Sequence, residues 1–120
     1  MARILLADDE AGARDLVRRA LELDKHTVTV VADGASALEL IARSPDGFDL
    51  LVTDIDMPGM DGLALAKSAA KHAAGLPVLL ISGHAGERDN LDTGPANIAG
   101  FLAKPFSLEE IRSAVTGAIA

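Results

Sequence analysis

Polar side chains that could do chemistry follow four short apolar runs of the 120-residue sequence. They are Asp8 and Asp9 after the first run, Asp54 after a run in the middle of the chain, Ser82 after a later one and Lys104 after the last. Each has an ordinary explanation alone, since a strand can end in an acid or a hydroxyl and a lysine can be a solvated charge. Because all five occupy the same kind of position, we interpret them as one site.

Three carboxylates in one crevice need a countercharge. Two like charges about 4 Å apart repel by roughly 4 kcal/mol at an effective dielectric constant near 20. A proton or a divalent cation relieves this repulsion, and oxygen ligands suit Mg²⁺ or Mn²⁺. With a hydroxyl and an amine beside them, these are the groups needed for phosphoryl transfer to a carboxylate, which attacks phosphorus while hydrogen-bond donors and cations bind the phosphoryl oxygens.

The elements that must position these side chains alternate between strand and helix. Short apolar runs bounded by turn residues predict strands at 3–7, 27–30, 50–53, 77–81 and 100–103. The run at 27–30 alternates polar and apolar residues, which is typical of an edge strand. We therefore predict an α/β fold, a doubly wound five-stranded parallel sheet of order 2-1-3-4-5 with helices on both faces. Ligands of such sheets bind where the strand order reverses, here between strands 1 and 3.

Local signals mark the ends and inner faces of the helices. Asp33 and Asp61 are predicted N-caps, and Ser107 with Glu110 matches a capping box before the last helix. The residues that helical spacing assigns to the core include Leu16, Leu108 and Ile119.

Composition limits the class of protein. The chain carries 11 basic and 18 acidic residues, a net charge of −7, and no cysteine. This balance argues against direct nucleic-acid binding and against binding to an anionic membrane surface. Disulfides and thiolate zinc sites are excluded, and no apolar run approaches the roughly 20 residues that span a bilayer. We expect one cytoplasmic domain.

Four motifs resemble those of response-regulator receiver domains, the CheY-like family. They are ILLADDE at 4–10, VTDIDMPGMDG at 52–62, VLLISG at 78–83 and FLAKPF at 101–106. The resemblance covers essentially the whole chain, so residues 1–120 are expected to form one receiver domain with a flavodoxin-like (CheY-like) fold. Such a domain is a phosphoacceptor with self-catalysed phosphoryl transfer and slow autodephosphorylation, rather than an enzyme.

The resemblance implies how the acids work. Asp54 would accept a phosphoryl group from a phosphohistidine on a sensor histidine kinase or a phosphotransfer protein. Asp9 and Asp54 would ligate Mg²⁺, or Mn²⁺, directly, together with the backbone carbonyl of Asp56. Asp8 would act through a metal-bound water.

The resemblance also implies a switch. Ser82 would move to the phosphoryl oxygen, Phe101 would follow it between outward and inward rotamers, and Lys104 would contact the phosphate. The Lys104–Pro105 bond would be cis. An output protein, not identified by the sequence, would read the change on the face made by the fourth helix, the fifth strand and the final helix.

One feature departs from the usual receiver pattern, and two further residues bear on the rate of dephosphorylation. Gly94-Pro95 lies in the fourth helix region, and we expect that helix to be short or mobile within 85–98. Asp56 and His84 occupy positions that resemble tuners of the dephosphorylation rate, although a solvated loop histidine is the simpler interpretation of His84.

Alternatives remain at this point. Parts of the chain resemble stand-alone receivers of the CpdR type, which act as phosphorylation-controlled adaptors of a ClpXP-type protease; a phosphorelay shuttle and a motor switch are the other receiver roles. The D-x-D pair of Asp54 and Asp56 also resembles haloacid-dehalogenase-like phosphatases. Those enzymes place the motif on the first strand, whereas here it follows the third predicted strand. An unphosphorylated pseudo-receiver is disfavoured because the acid set is complete.

Overall fold

The computed structural model describes residues 1–83 and 97–119, which contain five strands and four helices. The strands are β1 (Arg3–Ala7), β2 (Thr27–Val31), β3 (Leu50–Asp54), β4 (Val78–Ser82) and β5 (Ile98–Ala103). The helices are α1 (Ala11–Leu23), α2 (Gly34–Arg43), α3 (Gly62–His72) and α4 (Leu108–Ile119). The prediction of a short or mobile helix at 85–98 falls almost wholly outside the described residues, as does His84.

All strand pairs are parallel, and the strand order is β2-β1-β3-β4-β5, which confirms the predicted sheet. Ala7 pairs with Thr53, and Ser82 pairs with Ala103. The last residues of β1, β3, β4 and β5 and the first residues of the following loops therefore lie along one edge of the sheet. This edge carries the residues that the sequence assigned to the site.

The central strands β1, β3 and β4 are buried on both faces of the sheet. One face packs against α2 and α3 through a core cluster that includes Leu5, Leu51 and Leu80. The other face packs against α1 and α4 through a cluster that includes Leu6 and Val52. Full burial of one such side chain stabilises the fold by about 1.5–3 kcal/mol, so the two clusters hold the strand ends in fixed register.

The predicted helix N-termini are confirmed for three helices. The Asp33 carboxylate accepts a hydrogen bond from the Ser36 N–H at 2.7 Å, and the Asp61 carboxylate accepts one from the Ala64 N–H at 2.8 Å. Ser107 and Glu110 exchange the two hydrogen bonds of a capping box, at 3.0 and 3.1 Å. These caps satisfy backbone donors that a helix leaves without partners in its first turn.

The predicted core stripes of α1 and α4 are too wide. Leu16 is 48% exposed, Leu108 is 43% exposed and Ile119 is 37% exposed, whereas Val17 and Ile111 are buried. Leu108 and Ile119 are the first and last residues of α4, and Leu16 lies at the margin of the buried face of α1. Helical spacing identified the side of each helix that faces the sheet, but it could not show how much of that side the sheet covers.

Candidate functional site

Three carboxylates converge at the ends of β1 and β3, as the sequence predicts. One carboxylate oxygen from each of Asp8, Asp9 and Asp54 can be chosen so that all three lie within 4.8 Å of one another. Asp8 and Asp54 are buried, with 2% and 4% of their surface exposed, and Asp9 is exposed. Two carboxylates of the cluster are therefore enclosed by the protein, and the third, that of Asp9, faces solvent.

Both carboxylate oxygens of Asp54 accept hydrogen bonds. The Lys104 ammonium donates to Oδ2 at 2.6 Å, and the Asp56 N–H donates to Oδ1 at 3.0 Å. The Lys104 side chain is 30% exposed, whereas that of Asp54 is 5% exposed. A lysine that directly follows β5 thus places its charge on the acid that ends β3.

Backbone contacts also tie Lys104 to the neighbouring strand. Its N–H donates to the Ser82 carbonyl oxygen at 2.7 Å, and Ser82 is the buried last residue of β4. The Lys104–Pro105 peptide bond is cis, which confirms the implied geometry. Phe101 is partly buried and packs against the core cluster on the α2 and α3 face.

Burial and charge act in opposite directions at this site. Burial raises the pKa of the Asp8 carboxyl above its ordinary value; the Glu10 N–H works against this, and the charge of Asp54 adds to it. Burial disfavours the charged form of Lys104, but its hydrogen bond to Asp54 and the charges of Asp54, Asp8 and Glu10 outweigh burial and raise the pKa of the ammonium. Lys104 is therefore a cation held against acids.

Asp8 is held from three directions. Its carboxylate accepts a hydrogen bond from the Glu10 N–H at 2.9 Å, and its own N–H donates to the Val31 carbonyl oxygen at 3.2 Å. The third contact comes from Arg14 of α1, whose Nη1 donates to the Asp8 carbonyl oxygen at 2.9 Å. The sequence did not predict this contact, because an arginine one turn into a helix looks the same as a solvated charge.

The loop after Asp54 is held close to the strand by Gly62. The Gly62 N–H donates to the Ile55 carbonyl oxygen at 2.9 Å. A Cβ atom at this position would lie 2.5 Å from the Asp54 carbonyl oxygen and 2.8 Å from the Ile55 Cα, closer than real Cβ atoms approach. Only glycine fits without a shift of the backbone, so Gly62 determines the path of the loop that presents the exposed Asp56.

An apolar groove of about 470 Å³ lies beside the site. Its walls are the start of α1, with Ala13 and the exposed Leu16, and the segment from Lys104 to Phe106. This accounts for the exposure of Leu16, which lines the groove. A cavity of about 530 Å³ at the opposite end of the sheet, lined by Arg3, Asp49 and His72 among others, contains none of the predicted site residues.

The donor set fits a hard divalent cation. Carboxylate oxygens are ligands that Mg²⁺ and Mn²⁺ accept, and Mg²⁺ typically binds one or two carboxylates together with waters. The open side at Asp9 leaves room for solvent ligands. Among residues 1–83 and 97–119, this is the one group of three or more acidic, histidine or cysteine side chains whose ligand atoms come close enough to share an ion.

The fold, the acid cluster and the lysine on Asp54 define the class of protein. The chain belongs to the response regulator receiver domain family, which matches residues 4–116. Receiver domains are signalling domains of two-component systems, so family membership favours this class over the phosphatase alternative.

Individual relatives agree with this assignment. The response regulator receiver protein CpdR of Brucella abortus is 40% identical over 111 residues, which are 92% of this chain and 91% of that protein. Response regulator MprA of Mycobacterium ulcerans is 36% identical over 109 residues, 91% of this chain but 46% of the longer relative. The chain thus spans nearly all of the first relative and less than half of the second.

Solved structures agree as well. The receiver domain of the hybrid histidine kinase CckA is 30% identical, with a TM-score of 0.83 over 98% of this chain and 99% of that one. A receiver domain protein from Clostridium thermocellum shares the fold with a TM-score of 0.89, over 99% and 94% of the two chains, at 23% identity. In the part of the chain that the structure describes, no helix has the length and apolar character needed to cross a membrane.

Proposed function

We propose that the chain is a two-component receiver that is phosphorylated on Asp54. An Asp54 carboxylate oxygen attacks the phosphorus of a phosphohistidine, the O–P bond forms, the N–P bond breaks, and the histidine leaves with the electron pair. The observation that carries this proposal is the 2.6 Å contact between Lys104 Nζ and the nearly buried Asp54 carboxylate, beside two further acids. A cation so placed can follow the negative charge from the carboxylate to the phosphoryl oxygens.

Asp9 and Asp54 would hold Mg²⁺ directly, with the Asp56 backbone carbonyl as a third ligand and Asp8 acting through a water; Mn²⁺ would serve in its place. When bound, the ion supplies charge neutralisation between the carboxylate and the incoming phosphoryl group. The all-oxygen donor set supports this assignment. The chain's own part is to hold these acids together at the end of a rigid sheet, in spite of their repulsion.

Phosphorylation would then act as a switch. It adds about −1.5 to −2 charge at Asp54, and Lys104 and the Ser82 hydroxyl gain a partner that exists only in the phosphorylated state. Such a differential contact is what biases an equilibrium between two conformations. Phe101, which follows Ser82 in the proposed switch, would carry the change to an output protein.

The phosphodonor would be a sensor histidine kinase or a phosphotransfer protein. The apolar groove at Ala13, Leu16 and Phe106 supports this partner class because it opens beside Lys104. A phosphohistidine must come within bonding distance of Asp54, so its carrier must cover the surface around the site. Exposed apolar side chains next to a charged centre suit such a transient contact.

Intact mass after incubation with acetyl phosphate and Mg²⁺ tests the proposal. We expect the wild-type chain to gain one phosphoryl group and the Asp54→Asn variant to gain none. Asp56→Asn is the matched control, since it removes an exposed carboxylate two residues away and keeps the backbone carbonyl. It should still be labelled. Labelling of Asp54→Asn, or catalytic turnover of a small phosphomonoester by the wild type, would contradict the proposal.

A second, narrower proposal is that the chain works as a stand-alone adaptor of the CpdR type, controlling a ClpXP-type protease. The identity to CpdR, 40% against 36% to MprA of Mycobacterium ulcerans, supports it. The test is a pull-down with the chain in its phosphorylated and unphosphorylated forms. We expect only one of the two forms of the chain to capture the protease. Equal capture by Asp54→Asn and by the phosphorylated wild type would contradict this narrower proposal.

A further inference from the structure

The guanidinium of Arg14 reaches from α1 to the backbone of the acid cluster rather than to any of its carboxylates. Its Nη1 donates to the Asp8 carbonyl oxygen at 2.9 Å, and Arg14 is partly buried there. The carbonyl of Asp8 and the N–H of Asp9 belong to one planar peptide group. A contact that fixes this plane fixes the point from which the Asp9 side chain departs.

The other hydrogen bonds of this turn involve different groups from the Asp8–Asp9 peptide that Arg14 contacts. The Asp8 N–H is bonded to Val31, and its carboxylate accepts from the Glu10 N–H. Those bonds fix the peptide before Asp8 and the side chain of Asp8. Asp9 itself is exposed, and Arg14 is the side chain that reaches the peptide group before it.

We infer that Arg14 is a positioning residue for the metal site: by holding the Asp8–Asp9 peptide, it sets the direction of the Asp9 carboxylate. This inference rests on the proposed function, in which Asp9 ligates the ion directly. Groups that orient a metal ligand typically change metal affinity by 10- to 100-fold when removed. Arg14 would act on the ion only through the backbone of its ligand.

A purely electrostatic role and a positioning role of Arg14 predict opposite changes in Mg²⁺ affinity when the side chain is removed. If Arg14 mattered only as a positive charge near the cluster, its removal would tighten Mg²⁺ binding, because one repulsive charge would be gone. If Arg14 positions Asp9, its removal weakens Mg²⁺ binding in spite of that electrostatic gain. The sign of the change therefore distinguishes the two roles.

The experiment measures the Mg²⁺ dissociation constant by calorimetry for Arg14→Met and for the matched control Arg19→Met. Both substitutions remove one positive charge from α1, and methionine keeps a high helix propensity. Arg19 is 73% exposed and pairs with Asp15 of the same helix at 3.0 Å. We expect binding about tenfold weaker in Arg14→Met and a change of less than about twofold in Arg19→Met.

A second readout needs no metal. The amide nitrogen of Asp9 shares its peptide group with the carbonyl that Arg14 contacts, so its NMR chemical shift should move in Arg14→Met and stay unchanged in Arg19→Met. The pair Arg14→Lys and Arg19→Lys repeats both measurements with the charge kept, which covers the case of a poorly folded methionine variant. Lysine lacks the rigid fork of arginine, so Arg14→Lys should also bind Mg²⁺ more weakly than its control.

Equal or tighter Mg²⁺ binding in the folded Arg14 variants than in their Arg19 controls would overturn the inference. This failure differs from failure of the proposed function, in which the wild-type chain itself would not bind Mg²⁺ or would not be labelled at Asp54.

Discussion

The fold buries the carboxylates of Asp8 and Asp54 close together. The free energy of their charged forms therefore depends on which donors and cations share the site with them. Lys104 contacts Asp54, and the backbone N–H groups of Glu10 and Asp56 contact one acid each. These donors offset part of the repulsion and the cost of burial. The raised pKa of Asp8 indicates that its charged form is still disfavoured without an additional cation.

This leads to a pH-dependent prediction for Asp8→Asn. The folded state holds the Asp8 proton more tightly than the unfolded state, because burial raises its pKa above the ordinary value of 3.8. As the pH rises above 3.8, the unfolded chain ionises first, and the wild type loses the stability that this proton contributed. The variant cannot ionise, so we expect it to be more stable than the wild type at pH 7 without divalent ions, with the advantage disappearing below pH 3.8.

Urea unfolding at a series of pH values from about 3 to about 8 measures this difference. Asp46→Asn is the control, since Asp46 is an exposed acid at the opposite end of the sheet. An Asp8→Asn variant that is less stable than the wild type at neutral pH would contradict the prediction that the ionised Asp8 destabilises the metal-free protein.

At the scale of elements, the positions of the site residues follow from strand ends. Asp54, Ser82 and Lys104 were predictable because short apolar runs closed by polar residues indicate parallel strands, whose ends meet at one edge. The contact of Arg14 with the Asp8 carbonyl and the exposure of Leu16 were not predictable. Both depend on how α1 is rotated and placed against the sheet, and residue spacing alone does not determine this.

The close approach at the start of α3 gives a stability prediction. Gly62→Ala would push a Cβ atom into the Asp54 and Ile55 backbone, which cannot move away as a flexible side chain could. We expect a loss of about 1–3 kcal/mol in the free energy of unfolding. Gly117→Ala is the matched control, since nothing lies within 4 Å of a Cβ built at Gly117 in α4.

Urea unfolding should show a lower free energy of unfolding for Gly62→Ala and a higher one for Gly117→Ala, each relative to the wild type. The control substitution should stabilise the protein by about 0.5 kcal/mol, because alanine loses less backbone entropy than glycine on folding. A Gly62→Ala variant as stable as Gly117→Ala would show that the loop after Asp54 is not constrained by this approach.

At the scale of the whole molecule, a sheet whose central strands are buried between two layers of helices brings the ends of β1, β3, β4 and β5 to one edge. The strand order and the acid cluster were predictable from one sequence. Apolar runs closed by turn residues locate the strands, the alternating second run indicates an edge strand, and a doubly wound sheet brings the strand ends together. The roles of Ser82 and Phe101 in switching remain predictions, since they concern a change between two conformations. The 120 residues carry a net charge of −7, and three of the acids responsible share one site.

The most direct test of the central claim is a crystal structure of the chain with Mg²⁺ and beryllium fluoride, a mimic of the phosphoryl group. The account predicts that the ion binds Asp9 and Asp54 and that beryllium fluoride bonds to an Asp54 carboxylate oxygen. It also predicts that Lys104 Nζ moves from the Asp54 carboxylate to the beryllium fluoride group. An ion bound elsewhere, or Lys104 still on the carboxylate with the adduct absent, would contradict it.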